Sequence, residues 1–314
     1  MGRRGAIILG ASALLGACAI EPPPKNAAPY GQATAQAGGT SSSSTPEPST
    51  PTTATPSETA GSANPATTTP DPSPEAVPAV GIFGTNHNAT AAAYAVPAAT
   101  VHQWLTTRTG PAAKTAFLTF DDGPSALTPQ VLDTLKQLGV PATFFVIGRL
   151  LEQNPAITQR AMAEGHAICL HSYSHDYAYL YPGRVGNAVN ITADYDHALA
   201  VATRVLGPTY APGGYRYPGG HMSWTGLEAA DAALAQRNVS WIDWNCMSGD
   251  ADKKPPANPD QAIANLTSTF TAYGSPTAAV LLNHDSHGAH VTLAALPQFV
   301  QFFRDRGYAF GVIG

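Results

Sequence analysis

An α/β fold organised on one mostly parallel sheet is what the sequence predicts, and three observations predict it. From about residue 115 to the end, short apolar runs of strand character alternate with longer runs that suit helices, the pattern of strands joined through helices. Two adjacent carboxylates, Asp121 and Asp122, stand directly behind one such run, at the carboxyl end of a strand where α/β proteins build their sites. Two histidines, His171 and His175, follow another.

The chain before residue 81 does not share that pattern. Residues 1–17 carry Arg3 and Arg4 and then an apolar run over 6–15, too short to cross a bilayer and suited to a secretory signal. The run ends in Leu15-Gly16-Ala17-Cys18, which resembles the lipobox of bacterial lipoproteins. That resemblance implies an acylated Cys18, and so an exported chain anchored by lipid at the cell envelope. Residues 18–80 are Pro, Ser, Thr and Ala with almost no aromatics. Such a composition cannot bury enough apolar surface to offset chain entropy, so a disordered tether is expected. As a flexible coil its reach is about 45 Å. Residues 81–113 read either as a short strand with a helix or as an extended arm.

The domain expected over 114–314 takes strands from 116–120, 142–147, 167–170, 214–217, 239–243, 278–283 and 308–313, and helices from 128–138, 154–163, 193–206, 224–236, 259–273 and 292–306. In the first strand, Phe117, Leu118, Thr119 and Phe120 are types that fit a pleated, buried surface. No internal repeat is evident. The 314 residues carry a net charge of −5 without a Lys/Arg cluster beyond Arg3 and Arg4, which argues against a nucleic-acid partner and suits a neutral or mildly charged substrate. A monomer is expected. Of three cysteines, lipidation consumes Cys18, leaving Cys169 and Cys246 either as a disulfide or as buried free thiols.

Asp121 and Asp122 lie in the stretch FLTFDDGP, from Phe117 to Pro124. Neighbouring aspartates repel, and burying both without a cation costs several kcal/mol or keeps one protonated; a metal ion removes the conflict. By itself the stretch reads equally well as a turn after a strand, because Asp, Gly and Pro are turn formers. The histidines shift the balance. In His171-Ser-Tyr-Ser-His175 the i, i+4 spacing puts both imidazoles on one face of a helical turn. Together with Asp122 they give three protein ligands and open positions for water, as catalytic zinc sites have. Cobalt or nickel suits the same donors.

The motifs TFDDGP, HSYSH, Tyr215-Arg216-Tyr217-Pro218-Gly219-Gly220, Ile242-Asp243-Trp244 and Leu281-Leu282-Asn283-His284-Asp285 occur in the order and rough spacing of the five motifs of the polysaccharide deacetylases. Over 114–314 the chain therefore resembles carbohydrate esterase family 4. The resemblance implies a distorted (β/α)7 barrel and metal-dependent removal of N- or O-acetyl groups from sugars. It implies Asp121 as general base, and Asp122, His171 and His175 as metal ligands. Arg216 would hold Asp121, the backbone N–H of Gly219 would receive the oxyanion, and His284 would be the general acid with Asp243 as its charge partner. Trp244 and Leu282 would wall the slot for the acetyl methyl. Gly219 departs from the Tyr of many members, which removes an aromatic wall at that position.

The residue types suit the chemistry. An amide carbonyl is a poor electrophile that a metal polarises, a carboxylate such as Asp121 takes the water proton, and an amine leaves only with a proton from an acid such as His284. Tyr173, Tyr177, Tyr179 and Tyr181 crowd the segment after the histidines, either as packing or as faces for sugar rings. His221, His287 and His290 are expected near the site but not as ligands, and His87, His102, His166 and His197 at the surface. The expected function is N-deacetylation of a cell-wall polysaccharide, most simply N-acetylglucosamine of peptidoglycan. A chitin-oligosaccharide deacetylase and an acetyl-xylan esterase are alternatives of the same class. A non-catalytic wall-binding module would require a missing base, ligand or acid, and none is missing.

Overall fold

The computed structural model describes residues 81–286 and 288–314; the expected signal peptide, Cys18 and the tether lie outside the described residues. The strands are β1 (Ala95–Val96), β2 (Thr115–Gly123), β3 (Thr143–Val146), β4 (Ala167–Leu170), β5 (Gly214–Tyr215), β6 (Ser240–Trp241), β7 (Cys246–Met247), β8 (Ala278–His284), β9 (Ala309–Phe310) and β10 (Val312–Ile313). The α-helices are α1 (Ala98–Thr107), α2 (Thr128–Leu138), α3 (Gly148–Gln153), α4 (Pro155–Ala163), α5 (Tyr177–Leu180), α6 (Ala188–Leu206), α7 (Glu228–Ala235), α8 (Pro259–Tyr273) and α9 (His290–Arg304). The helix boundaries follow local chemistry. Asn258 caps α8 by accepting the Gln261 N–H at 3.0 Å, Pro259 opens it, and Gly274 closes it in the left-handed region at φ 103°.

One sheet runs β6-β5-β4-β3-β2-β8-β7, with β9 beside the start of β2, and its pairings are parallel. Its edge strands β6 and β7 are neighbours in sequence, joined through residues 242–245. Laid flat, seven strands at about 4.8 Å spacing would be about 29 Å wide, whereas that link reaches at most about 18 Å. The sheet must therefore curl, and it forms a half-barrel whose two edges approach across the link. Asn245 fastens the link by donating to the Ala278 carbonyl at 2.7 Å and accepting from the Val280 N–H at 2.8 Å.

Alternation along the strands sorts the two faces. Ala116, Leu118 and Phe120 of β2, Phe144 and Val146 of β3, and Ile168 and Leu170 of β4 pack outward with the helices. Phe117, Phe145, Cys169 and Val280 point to the concave side and form a separate apolar cluster there. Continuing each inward row toward the carboxyl ends of the strands leads to Thr119 and Asp121, His171, Arg216, and Leu282 and His284. The same period that fills the interior with apolar rings delivers polar groups to its mouth.

The arm over 81–113 is part of this fold. It forms a short 3₁₀ turn, β1 and α1, with β1 paired to β10 and the Ala98 N–H donating to the Gly314 carbonyl at 2.7 Å. Ala98 and Val101 of α1 join Phe117, Phe145 and Ile313, so the arm seals the concave interior at the end remote from the site. Val101→Asp would bury an unpaired charge there, and we expect a loss of several kcal/mol, seen as a lowered urea midpoint. Wild-type stability in that variant would show that α1 merely lies on the surface.

Several expectations are corrected. The expected strand 308–313 is two strands separated at Gly311, and β7 follows β6 where no strand was expected. Helix α6 begins at Ala188 because Asn187 caps it, five residues before the expected start. Residues 221–223 form a 3₁₀ turn and Thr225 bridges to Val185, so α7 starts only at Glu228. His87 and His166 are buried, and His166 Nδ1 accepts the Ala142 N–H at 3.1 Å. Cys169 and Cys246 are buried free thiols.

Candidate active site

A register shift between Asp121 and Gly123 bulges the end of β2, and Asp122 sits at φ 70°. The bulge sends the two carboxylates to different partners, as bulges beside active sites do. Gly123 has no room for a side chain, because an added β-carbon would lie against the Asp285 carboxyl group. Asp285 in turn accepts the Thr128 hydroxyl and pins the turn to β8.

The histidine segment is not a helical turn. Ser172 and His175 adopt φ of 66° and 53°, and the segment is a loop that folds back on itself through the His175 N–H to Ser172 Oγ bond at 2.9 Å. Asp194 of α6 accepts the N–H groups of Tyr173 and Ser174 and holds the loop from behind. Asp122, Ser172 and His175 are all non-glycine residues in the left-handed region, where strain is kept only if the surroundings impose it.

That loop brings both imidazoles to Asp122. His171 Nε2 is 3.4 Å and His175 Nε2 is 3.2 Å from Asp122 Oδ1, a buried oxygen without a hydrogen-bond donor of its own. The three ligand atoms lie within 4.8 Å of one another. His171 Nδ1–H donates to the Arg216 carbonyl at 2.8 Å, which leaves Nε2 with its lone pair toward Asp122. Converging lone pairs from one oxygen and two nitrogens repel unless a cation sits among them, so the residues fit a divalent metal. Burial pushes the Asp122 carboxyl up, but the protonated forms of His175, His171 and His284 outweigh it and, in the absence of a cation, hold the group well below the usual carboxylate range. Burial lowers His175, only partly opposed by Asp122, which keeps the imidazole neutral and able to ligate.

Asp121 turns the other way. It is 2% exposed and accepts Arg216 Nη1 at 2.7 Å, the ion pair expected from the sequence. Arg216 is 0% exposed, with Nη1 also on Thr119 Oγ1 at 2.8 Å, Nε on the Ile242 carbonyl at 2.9 Å and Nη2 on the Asp243 carbonyl at 3.2 Å. Its plane packs over Phe145 at 4.0 Å. Every direction in which the guanidinium could turn is fixed, so Asp121 is held too.

His284 is the register neighbour of Asp121 across β2 and β8. Its partner corrects the sequence expectation. The Asp243 carboxylate accepts the backbone N–H groups of His221 and Met222, at 2.9 and 3.2 Å, and so shapes the turn after Gly220. Asp250 instead receives His284 Nδ1–H at 2.8 Å, the His284 backbone N–H at 2.8 Å and the Thr292 hydroxyl at 2.6 Å. Burial alone would lower His284, but the Asp250 charge and hydrogen bond, with Asp122 and Asp121 nearby, push it up to about 10. Asp250 itself is held low by His284 and Thr292 against the opposing effect of burial. The sequence reading missed Asp250 because it stands after β7, a strand of two residues that leaves no periodic trace.

Leu282 lies one inward step below His284 on β8, and Trp244 stands beside Gly220 and 5.6 Å from the Arg216 guanidinium, packed against the concave cluster. Gly219 adopts φ 80° directly behind the Arg216-Tyr217-Pro218 segment. His221 is tied to Asp231 at 2.9 Å and stacked on Trp241, away from the ligand set.

A family model for polysaccharide deacetylases matches residues 108–236. A peptidoglycan-N-acetylglucosamine deacetylase of Bacillus cereus is 34% identical over 199 residues, 63% of this chain and 68% of that protein. A chitooligosaccharide deacetylase of a Bradyrhizobium species is 35% identical over 176 residues, 55% of this chain and 72% of that one. Among solved structures, a carbohydrate esterase family 4 enzyme of Streptococcus mutans superposes with a TM-score of 0.71 at 41% identity, covering 74% of this chain and 98% of the other. The chain belongs to the polysaccharide deacetylases, carbohydrate esterase family 4.

Proposed function

We propose that the chain is a metal-dependent N-deacetylase of cell-wall amino sugars, with N-acetylglucosamine of peptidoglycan as its substrate, built as the distorted (β/α)7 barrel of its family over about 81–314. The observation that carries this reading is the coexistence, at one end of the half-barrel, of a metal-type ligand set, a separate carboxylate clamped by Arg216, and a histidine hydrogen-bonded through Nδ1 to Asp250. Zinc, cobalt or nickel held by Asp122, His171 and His175 would polarise the acetyl carbonyl and acidify water. Asp121 takes the proton of the attacking water as its oxygen bonds to the acetyl carbon. The Gly219 N–H donates to the oxygen that becomes anionic, and Leu282 and Trp244 face the methyl group. His284, aligned by Asp250 through Nδ1, gives the Nε2 proton to the sugar nitrogen as the C–N bond breaks, leaving acetate and a free amine. Acetate release from acetylated peptidoglycan by the metal-loaded protein tests the reading. Metal-loaded protein that yields no acetate from peptidoglycan or from chitin oligomers would refute it. Likeness to a chitooligosaccharide deacetylase keeps the neutral polymer as the second substrate to assay.

The envelope location belongs to the same proposal. Among the described residues no helix is long and apolar enough to cross a membrane. Attachment would rest on lipid at Cys18, with 18–80 as the tether. Cys18→Ser is expected to move the protein from the membrane to the soluble fraction with its specific activity unchanged. Retention of that variant on membranes in high salt would refute the anchor.

A further inference from the structure

We propose that Tyr177, Trp224 and Arg184 form a sugar-binding wall beside His175, in which Arg184 selects glycans that carry a carboxylate close to the acetylated sugar. The proposal rests on the deacetylase reading above and names the chemistry of its substrate. Gly219 brings no side chain to the site, but a β-carbon placed on it would meet Trp224 Cζ2 at 3.3 Å and Tyr177 Oη at 3.4 Å. The space beside Gly219 is thus already bounded by aromatic groups, supplied from the turn after residue 220 and from α5.

The indole is rigidly held. Trp224 Nε1 donates to the Pro218 carbonyl at 2.8 Å, and buried Tyr181 stacks on one face at 4.0 Å with an interplanar angle of 12°. The Arg184 guanidinium also packs on the indole, 5.0 Å from the ring centroid. Tyr177 is 5.3 Å from Trp224 and 5.2 Å from His175, so the wall begins at a metal-site histidine. Val185 and Met222, within two residues of Arg184 and Trp224 in the chain, are 50% and 56% exposed.

Arg184 is the informative member. It is exposed, it donates Nη2–H to the Ser223 carbonyl at 2.9 Å, and its backbone sits at φ 72°, a conformation that costs a residue with a β-carbon. Strain retained at a residue that packs on an aromatic platform next to a site points to use of its side chain. A guanidinium offers five donors in a fork that matches a carboxylate, while aromatic faces and edges suit the C–H surfaces of sugar rings. A neutral polymer of N-acetylglucosamine engages the rings only. A glycan in which N-acetylglucosamine alternates with a sugar whose lactyl carboxylate is free of peptide engages the arginine as well. On a chain of net charge −5, a local cation is what makes an anionic glycan acceptable.

Calorimetric titration of the full chain with two probes tests this: a tetrasaccharide alternating N-acetylglucosamine and N-acetylmuramic acid, and the neutral N-acetylglucosamine tetrasaccharide. Wild type is expected to bind the acidic probe roughly tenfold more tightly, the scale of one charge-assisted hydrogen bond. Arg184→Gln, at an exposed position that does not endanger folding, should bring the two affinities together. Tyr177→Ala should weaken both by comparable factors. A wild type without preference, a preference that survives Arg184→Gln, or affinities untouched by Tyr177→Ala would each overturn the wall. Acetate release is followed in parallel. Selective binding without acetate from either probe would refute the proposed reaction and leave the wall standing.

Discussion

His171→Ala and His175→Ala are expected to lose bound metal and acetate release together, whereas Asp121→Asn keeps the metal and loses about 10²-fold or more in kcat. The geometry separates the two aspartates. Asp122 Oδ1 lies 3.4 and 3.2 Å from the two imidazole Nε2 atoms, while Asp121 Oδ2 is 3.9 Å from His171 and its other oxygen is committed to Arg216. Either alanine removes one ligand of three, and two remaining donors hold a metal poorly. Asn is the right probe at 121 because its carbonyl oxygen can still accept Arg216 Nη1–H, so the hydrogen bond is kept and the carboxylate alone is lost, although the buried guanidinium then lacks its opposite charge and some stability goes with it. Metal content after dialysis, measured beside kcat, checks the assignment. Loss of metal from Asp121→Asn with retention by Asp122→Asn would exchange the two roles.

Most of the sheet was legible because buried parallel strands leave long apolar runs. The run at 167–170 coincides with β4, and the expected 278–283 is β8 short of its last residue. Short elements were not legible. β7 is held by Asn245 and by its neighbour β8, which are tertiary facts, and α5 needs the Asp176 cap to exist at all. The grouping of Asp122, His171 and His175 was readable because each member closes an apolar run or sits within a few residues of one. What the sequence could not show is how the histidines converge. Their i, i+4 spacing suggested a helical turn, yet a loop with two left-handed residues and a brace from Asp194 does the work. Asp243 misled for a related reason. It stands beside a tryptophan after a strand, and only its backbone carbonyl, through Arg216, reaches Asp121.

His284 is expected to give kcat/KM on an amide substrate an alkaline limb above the ordinary histidine value of 6.5, because the Asp250 charge and its hydrogen bond to Nδ1 raise the folded pKa. The sign follows from the direction. A raised pKa means that the protonated, acid-competent form prevails below the raised value and is lost as pH rises through it. Burial works against this charge, so the limb depends on Asp250, first through its charge and then through its bond to Nδ1. Asp250→Asn keeps an acceptor for Nδ1–H but removes the charge, and the limb should move down by roughly one unit or more, the usual effect of an adjacent opposite charge. His284→Ala should abolish that limb and cost about 10²-fold or more on an amide. An aryl acetate should suffer much less, because its phenolate leaves without a proton. The pH profile distinguishes this role from mere support of β8: a structural loss would lower the whole curve on both substrates without shifting it. An alkaline limb that stays in place in Asp250→Asn, with metal content unchanged, would mean that another group donates to the leaving nitrogen.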